Sequence, residues 1–195
     1  MKKLVFSLIL ISCISYSAFS QMVIKPAIGM NFTSLTDDPI NYSSTGRFGW
    51  QLGGTLTFGD KFYFEPGIFW MKNNWELQEL NQASATEFTN DISSLRIPAF
   101  AGLNILGDKE SLNLHIFGGP TAMIVTKVNT GTTGLTKDDF APVIYGIDAG
   151  AGISFKKFFI DAGYEWGLTK IYQDDPNEVK NRGLWINFGF NLTFL

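Results

Sequence analysis

The residues of this 195-residue chain that could do chemistry are few: one histidine, His115, one cysteine, Cys13, and a handful of charges set in apolar sequence. A nucleophilic hydrolase would need a serine or cysteine with a base and an orienting acid. Ser84, Ser93, Ser94 and His115 form no readable triad, and there is neither a nucleophile elbow nor a phosphate loop. An acyl-transfer reaction pairing His115 with a loop serine is the enzymatic alternative, but His115 reads first as a hydrogen-bonding interior residue. No His, Cys, Asp and Glu spacing suits a transition metal. The acidic pairs Asp37-Asp38, Asp138-Asp139 and Asp174-Asp175 could hold calcium loosely, or touch divalent ions that bridge surface lipopolysaccharide. They read first as solvated loop faces. Thr130-Gly131-Thr132-Thr133-Gly134 is a loop tip. No catalytic residue, metal or cofactor is expected, and a net charge of -3 offers no footprint for nucleic acid.

The charges Lys25, Arg47, Glu65, Arg96, Asp148, Asp161 and Glu165, with His115, each lie inside a strictly alternating run. Ala141 to Tyr172 shows the pattern best. Val143, Tyr145, Ile147, Ala149, Ala151, Ile153 and Phe155 share one face, against Ile144, Gly146, Asp148, Gly150, Gly152 and Ser154. After Lys156-Lys157 the alternation resumes, with Phe158, Ile160, Ala162, Tyr164, Trp166 and Leu168 against Phe159, Asp161, Gly163, Glu165, Gly167 and Thr169. Period two predicts two long strands joined by a tight turn. They match the roughly 9–11 residues that a tilted strand needs to cross a bilayer.

Six further runs behave alike, Met22 to Thr33, Arg47 to Phe58, Lys61 to Asn73, Ile92 to Leu106, Ser111 to Val125 and Arg182 to Leu195, which makes eight strands. Pro26 should sit at a bulge or near a strand end, since it cannot donate to the ladder. Long polar connections (34–46, 74–91, 126–140, 173–181) alternate with short ones. Short periplasmic turns, longer external loops and an even strand count are the marks of an exported barrel. The predicted fold is all-β: an eight-stranded antiparallel up-and-down transmembrane β-barrel, closed between strands 1 and 8.

Residues 1–20 read as a signal peptide ahead of a barrel domain at 21–195. Lys2 and Lys3 precede a short apolar core, Leu4 to Ile11, and Ala18-Phe19-Ser20 offers small residues before Gln21. Leu10-Ile11-Ser12-Cys13 resembles a lipoprotein cleavage box, with the ordinary site the better match. Charged residues are 17% and aromatic ones 15%, whereas a soluble domain carries about 25% charge.

Alternation alone fits a soluble calyx as well as a membrane barrel, and glycine placement separates them. Gly29, Gly49, Gly53, Gly102, Gly150, Gly152, Gly163 and Gly189 are among many on the polar face, against Gly54 and Gly118 on the apolar one. A water-exposed face has no reason to shed side chains, whereas a narrow bore does. The polar face is therefore placed inside. There Lys25, Arg47, Arg96 and His115 can meet Glu65, Asp148, Asp161 and Glu165 in a plugged core. Trp50, Trp70, Tyr145, Tyr164 and Trp166 fall on the lipid side as candidates for the headgroup girdles.

Three short motifs resemble the PorT-like outer-membrane β-barrel families of Bacteroidota. These are Leu95-Arg96-Ile97-Pro98, Gly118-Gly119-Pro120, and Asp161-Ala162-Gly163-Tyr164 followed by Gly167-Leu168-Thr169. Arg96 stands where that group often has an acidic residue, and Gly163 where arginine is frequent. Such barrels often end on an aromatic residue that the barrel-assembly machinery reads; here Phe194 is penultimate. The resemblance implies a bacterial outer membrane location, with outer-membrane lipid and lipopolysaccharide around the barrel and an unidentified envelope protein as a further partner. The functional expectation is a non-enzymatic scaffold that presents four external loops. The alternatives are a narrow passive pore and a secreted calyx for an apolar ligand. The expressed protein should sediment with the envelope, run faster on a gel before boiling than after, and begin at Gln21 by mass spectrometry.

Overall fold

Each strand can bury only one face, and each hydrogen-bonds to its sequence neighbours, so the sheet closes by curling until its ends meet. The computed structural model describes residues 22–36, 42–79, 87–107, 112–130, 137–172 and 179–194, without the side chains of 42–47, 74–79, 87–91, 129–130 and 194. The strands are β1 (Met22–Leu35), β2 (Tyr42–Gly59), β3 (Phe62–Glu79), β4 (Glu87–Gly107), β5 (Leu112–Thr130), β6 (Ile144–Phe155), β7 (Phe158–Gly167), β8 (Asn181–Phe190) and β9 (Leu192–Phe194). β9 continues β8 after Asn191, so the barrel has eight staves. Consecutive staves pair antiparallel. The ends close where β1 meets β8 and β9, with Ile28 opposite Phe188 and Met22 opposite Phe194.

The seam shows where Pro26 is tolerated. β1 pairs with β9 as far as Ile24 and with β8 from Ala27 onward. Lys25 and Pro26 face the interruption at Asn191, whose N–H instead donates to the Lys157 carbonyl at 2.7 Å. The missing proline donor thus coincides with a break in the partner strand.

Large apolar side chains point outward: Phe62 is 75% exposed and Phe188 47%, whereas Asp148 is 1% and Asp161 5% exposed. A calyx would need the opposite. The predicted membrane orientation of the faces is the observed one.

The strand bounds differ from the sequence reading. β3, β4 and β5 run for 18, 21 and 19 residues. Residues expected in loops, such as 42–46, 74–79, 87–91 and 126–130, pair as strand, for example Tyr42 with Glu79 and Asn90 with Thr130. The reason is physical. Beyond the lipid both faces of a hairpin meet water, so the alternation fades while the backbone ladder continues. The loop centres at 37–41, 80–86, 131–136 and 173–178 lie outside the described residues, as does the predicted signal segment.

At the loop end, an apolar cluster of Leu35, Met71, Ile92, Met123, Val125, Phe140, Ile144, Ile171, Tyr172 and Val179 fills the bore. Segments 137–143 and 168–172 fold over it, tied by the Phe140–Tyr172 bridge and by Ala141 N–H donating to Ile171 at 2.7 Å.

Closure predicts a specific crosslink. Opposed strand residues lie about 4.5–5.5 Å apart at Cα, within disulfide range. In a chain whose Cys13 is replaced by Ser, Ile28→Cys with Phe188→Cys should oxidise to a covalent ring. On a non-reducing gel the boiled ring should run ahead of the boiled, reduced chain; an unclosed sheet gives no such band.

Candidate functional site: the charged interior

Inward residues come from alternate positions on every stave, so charges far apart in sequence converge in the bore. Near the short turns, Lys25 of β1 lies 3.2 Å from Glu65 of β3 and 2.9 Å from Asp161 of β7. Glu65 also accepts from Thr55 at 2.7 Å and Thr57 at 2.9 Å. His115 Nε2 meets the other Asp161 oxygen at 2.8 Å, and its Nδ1 faces Asn113 at 3.3 Å. Lys25 also sits 4.3 Å from the Phe159 ring centroid, a favourable cation–π distance.

Nearer the loop end is a second centre. Arg96 of β4 donates from Nη2 to Asp148 of β6 at 2.7 Å and from Nε to Glu165 of β7 at 3.0 Å. Asp148 also accepts from Trp185 Nε1 at 2.8 Å and from Thr121, and Asn181 donates to Glu165 at 2.8 Å. Arg96 is 1% exposed, so an unpaired charge there would be costly.

Between the two centres lies an aromatic septum. Phe100 stacks on Phe117 at 5.1 Å and on Trp185 at 6.1 Å, and Phe117 on Trp185 at 5.7 Å. Phe69 and Phe159 pack with Ala27 in a neighbouring cluster. Sequence reasoning treated this face as polar; it also carries large rings. Glycines make the room. A Cβ on Gly102 would overlap the Tyr63 ring, on Gly150 the Phe117 ring, on Gly163 the Trp185 ring, and on Gly152 both His115 and Asp161. Each of these side chains lies in the slot left by the glycine paired with it on the next strand.

Of the residues singled out from sequence, Lys25, Glu65, His115 and Asp161 form one centre, and Arg96, Asp148 and Glu165 the other. The backbone of Arg47 pairs with Thr33, but its side chain lies outside the described residues, so its expected partner is not placed. Sequence reading missed Thr55, Thr57, Thr121, Asn181 and Trp185 as partners. For Thr55, Thr57, Thr121 and Trp185 the only signal was a place on the same face as the charges; Asn181 fell in the predicted loop 173–181, whereas it opens β8. Ser93 and Ser94 pair with Lys127 and Val125, far along β5 from His115, and Ser84 is outside the described residues. No group of three His, Cys, Asp or Glu side chains converges as a metal site among the described residues. Asp138 and Asp139 are exposed in the 3₁₀ turn Lys137–Asp139, with the other two acidic pairs outside the described residues. On the outer surface Trp50, Trp70, Tyr145 and Trp166 are exposed, and Tyr164 packs on Trp166 at 4.6 Å.

An antiparallel eight-stave barrel with a lipid-compatible exterior and a charged, ring-filled bore is an outer-membrane barrel. The family comparison agrees. Residues 19–173 match the outer membrane protein beta-barrel domain family, and the chain belongs to it. Among solved structures it is similar to Neisserial surface protein A (NspA), at 14% identity and a TM-score of 0.57, covering 89% of this chain and 97% of that one. It is also similar to Ail, the attachment invasion locus protein of Yersinia pestis, at 15% identity and a TM-score of 0.47, covering 88% and 98%. No curated protein matches significantly. The protein is thus a bacterial outer-membrane β-barrel.

The Arg96 centre makes a quantitative prediction. Removing one partner of a buried pair strands the others, typically at about 3–5 kcal/mol. Arg96→Ala should lower the unfolding free energy in lipid vesicles by that order, read by urea titration of tryptophan fluorescence. Adding Asp148→Asn and Glu165→Gln should recover much of the loss. Equal stability of Arg96→Ala and the parent would show that the pair does not constrain the fold.

Proposed function

We propose that this barrel is a sealed, non-enzymatic scaffold that holds its loop end outside the cell. The filled bore carries the reading: a charged centre, an aromatic septum, a second charged centre and an apolar cluster follow one another along the axis. Both ring nitrogens of His115 are engaged, Nε2 by Asp161 and Nδ1 by Asn113, which supports a structural role. Four loops, centred in 34–46, 74–91, 126–140 and 173–181, would then form the working surface, raised on the strand extensions.

Trp50, Trp70, Tyr145 and Trp166 each lie roughly eight to ten residues from the short turn of their hairpin. At about 3.3 Å per residue and a tilt near 40° this is about 20–25 Å, close to the height of an apolar band. We assign them, with Tyr164, to the external girdle. Phe62, Phe155, Phe158 and Phe190 take the periplasmic side. This modifies the sequence reading, in which the Trp and Tyr residues marked both girdles. Lipopolysaccharide would surround the external girdle, and the assembly machinery would receive the chain during biogenesis. The three short motifs support a place among the PorT-like barrels, without lending any secretion role.

Planar-bilayer recording tests the sealed bore. The purified, refolded protein should insert without discrete channel steps at physiological salt. Reproducible steps would favour the passive pore instead.

A further inference from the structure

The short-turn mouth of the barrel is not filled. A cavity of about 640 Å³ opens there, lined by Tyr63, by Lys25, Glu65 and His115 of the first charged centre, and by Lys156 and Lys157 of the β6–β7 turn. Its size lies in the range of small-molecule sites. It is blind: past the charged floor, only a space of about 10 Å³ remains before the aromatic septum. Because the short turns of an outer-membrane barrel face the periplasm, the cavity is reached from that side.

Its charge is unbalanced. Glu65 is the one carboxylate lining it among the described residues; it pairs with Lys25, which it shares with Asp161, and accepts from Thr55 and Thr57. Lys156 and Lys157 add two more ammonium groups to the lining, that of Lys156 lying 5.5 Å from the Phe155 ring centroid. An independent observation concerns the backbone. Lys156 has φ of 54°, the one non-glycine residue with positive φ among the described residues, whereas Gly59 and Gly107 take the left-handed positions near the other two short turns. A two-residue hairpin turn with positive φ at its first position favours glycine there. This turn keeps a lysine against that preference, and backbone strain of this kind concentrates at functional sites. The turn is also pinned, because the Lys157 carbonyl accepts from Asn191.

We propose that this mouth is a periplasm-facing anion site, in which Lys156 and Lys157 receive a phosphate or carboxylate group while the rest of the ligand enters toward Tyr63 and His115. The group could belong to a soluble periplasmic molecule or to a phospholipid of the inner leaflet. The proposal uses the outer-membrane orientation and does not depend on the loop-scaffold reading.

The test follows side-chain and amide NMR signals of His115, Gly152 and Ser154 in the refolded barrel. One arm titrates sodium pyrophosphate into barrel in zwitterionic micelles, with sodium chloride at matched ionic strength as control. A second compares nanodiscs of phosphatidylglycerol and phosphatidylcholine. Both arms are repeated with Lys156→Gly plus Lys157→Ser, a pair that suits the turn and should fold at least as well. Saturable shifts with pyrophosphate, weakened about tenfold or more in the variant, establish a soluble-anion site. Shifts confined to phosphatidylglycerol and lost in the variant identify an anionic phospholipid headgroup as the occupant. Shifts that are absent in both arms, equal in chloride, or unchanged in the variant overturn the proposal.

Discussion

Charges that cross the bore are the interaction on which this barrel depends. The backbone ladder ties each stave only to its neighbours. Lys25 links β1 to β3 and β7, and Arg96 links β4 to β6 and β7. These are transverse struts between staves that share no hydrogen-bonded edge, except where β6 and β7 adjoin. Lipid gives the apolar exterior little preference for one register over another, since tails are as apolar as the side chains they meet. A one-residue slip of β1, β3, β4, β6 or β7 would instead put a charged side chain into hydrocarbon. The struts gain little net free energy against an apolar filling; their contribution is to make the alternatives costly.

The second constraint is space. Eight staves leave a bore just wide enough for side chains, yet this one holds Tyr63, Phe69, Phe100, Phe117, Phe159 and Trp185 as well as two charged centres. The interior glycines reconcile these demands by giving each bulky group a slot. Glycine in a strand usually costs packing; here the ring paired with it on the adjacent stave restores that packing.

The sequence made the barrel legible because its signal is strictly periodic: in β6 and β7 each inward Gly, Asp or Glu has an outward Ile, Ala, Tyr or Trp beside it. It also made the membership of the charged face legible, since parity along a strand assigns inside and outside. It could not give the grouping into two centres. That depends on the stagger between staves, which sets Asp161 beside His115 and Glu165 beside Arg96 although both carboxylates sit on one strand. The rings were hidden for a related reason. Trp185 and Phe117 are apolar residues at inward positions, and only the partner glycines on adjacent staves explain their place. The upper strand bounds were missed because hydrogen bonding continues where hydrophobic alternation stops.

The 21 residues of β4 are about twice what the bilayer requires. The surplus, roughly ten residues at the same rise and tilt, amounts to about 25 Å of ladder standing in water. That mast lifts the loop end of the barrel clear of the headgroups. It also insulates the embedded wall from the tips: residues can be gained, lost or exchanged at the summit while the register below is held by bonds that the summit does not share. The loop end and the membrane anchor can therefore diverge at different rates within one chain.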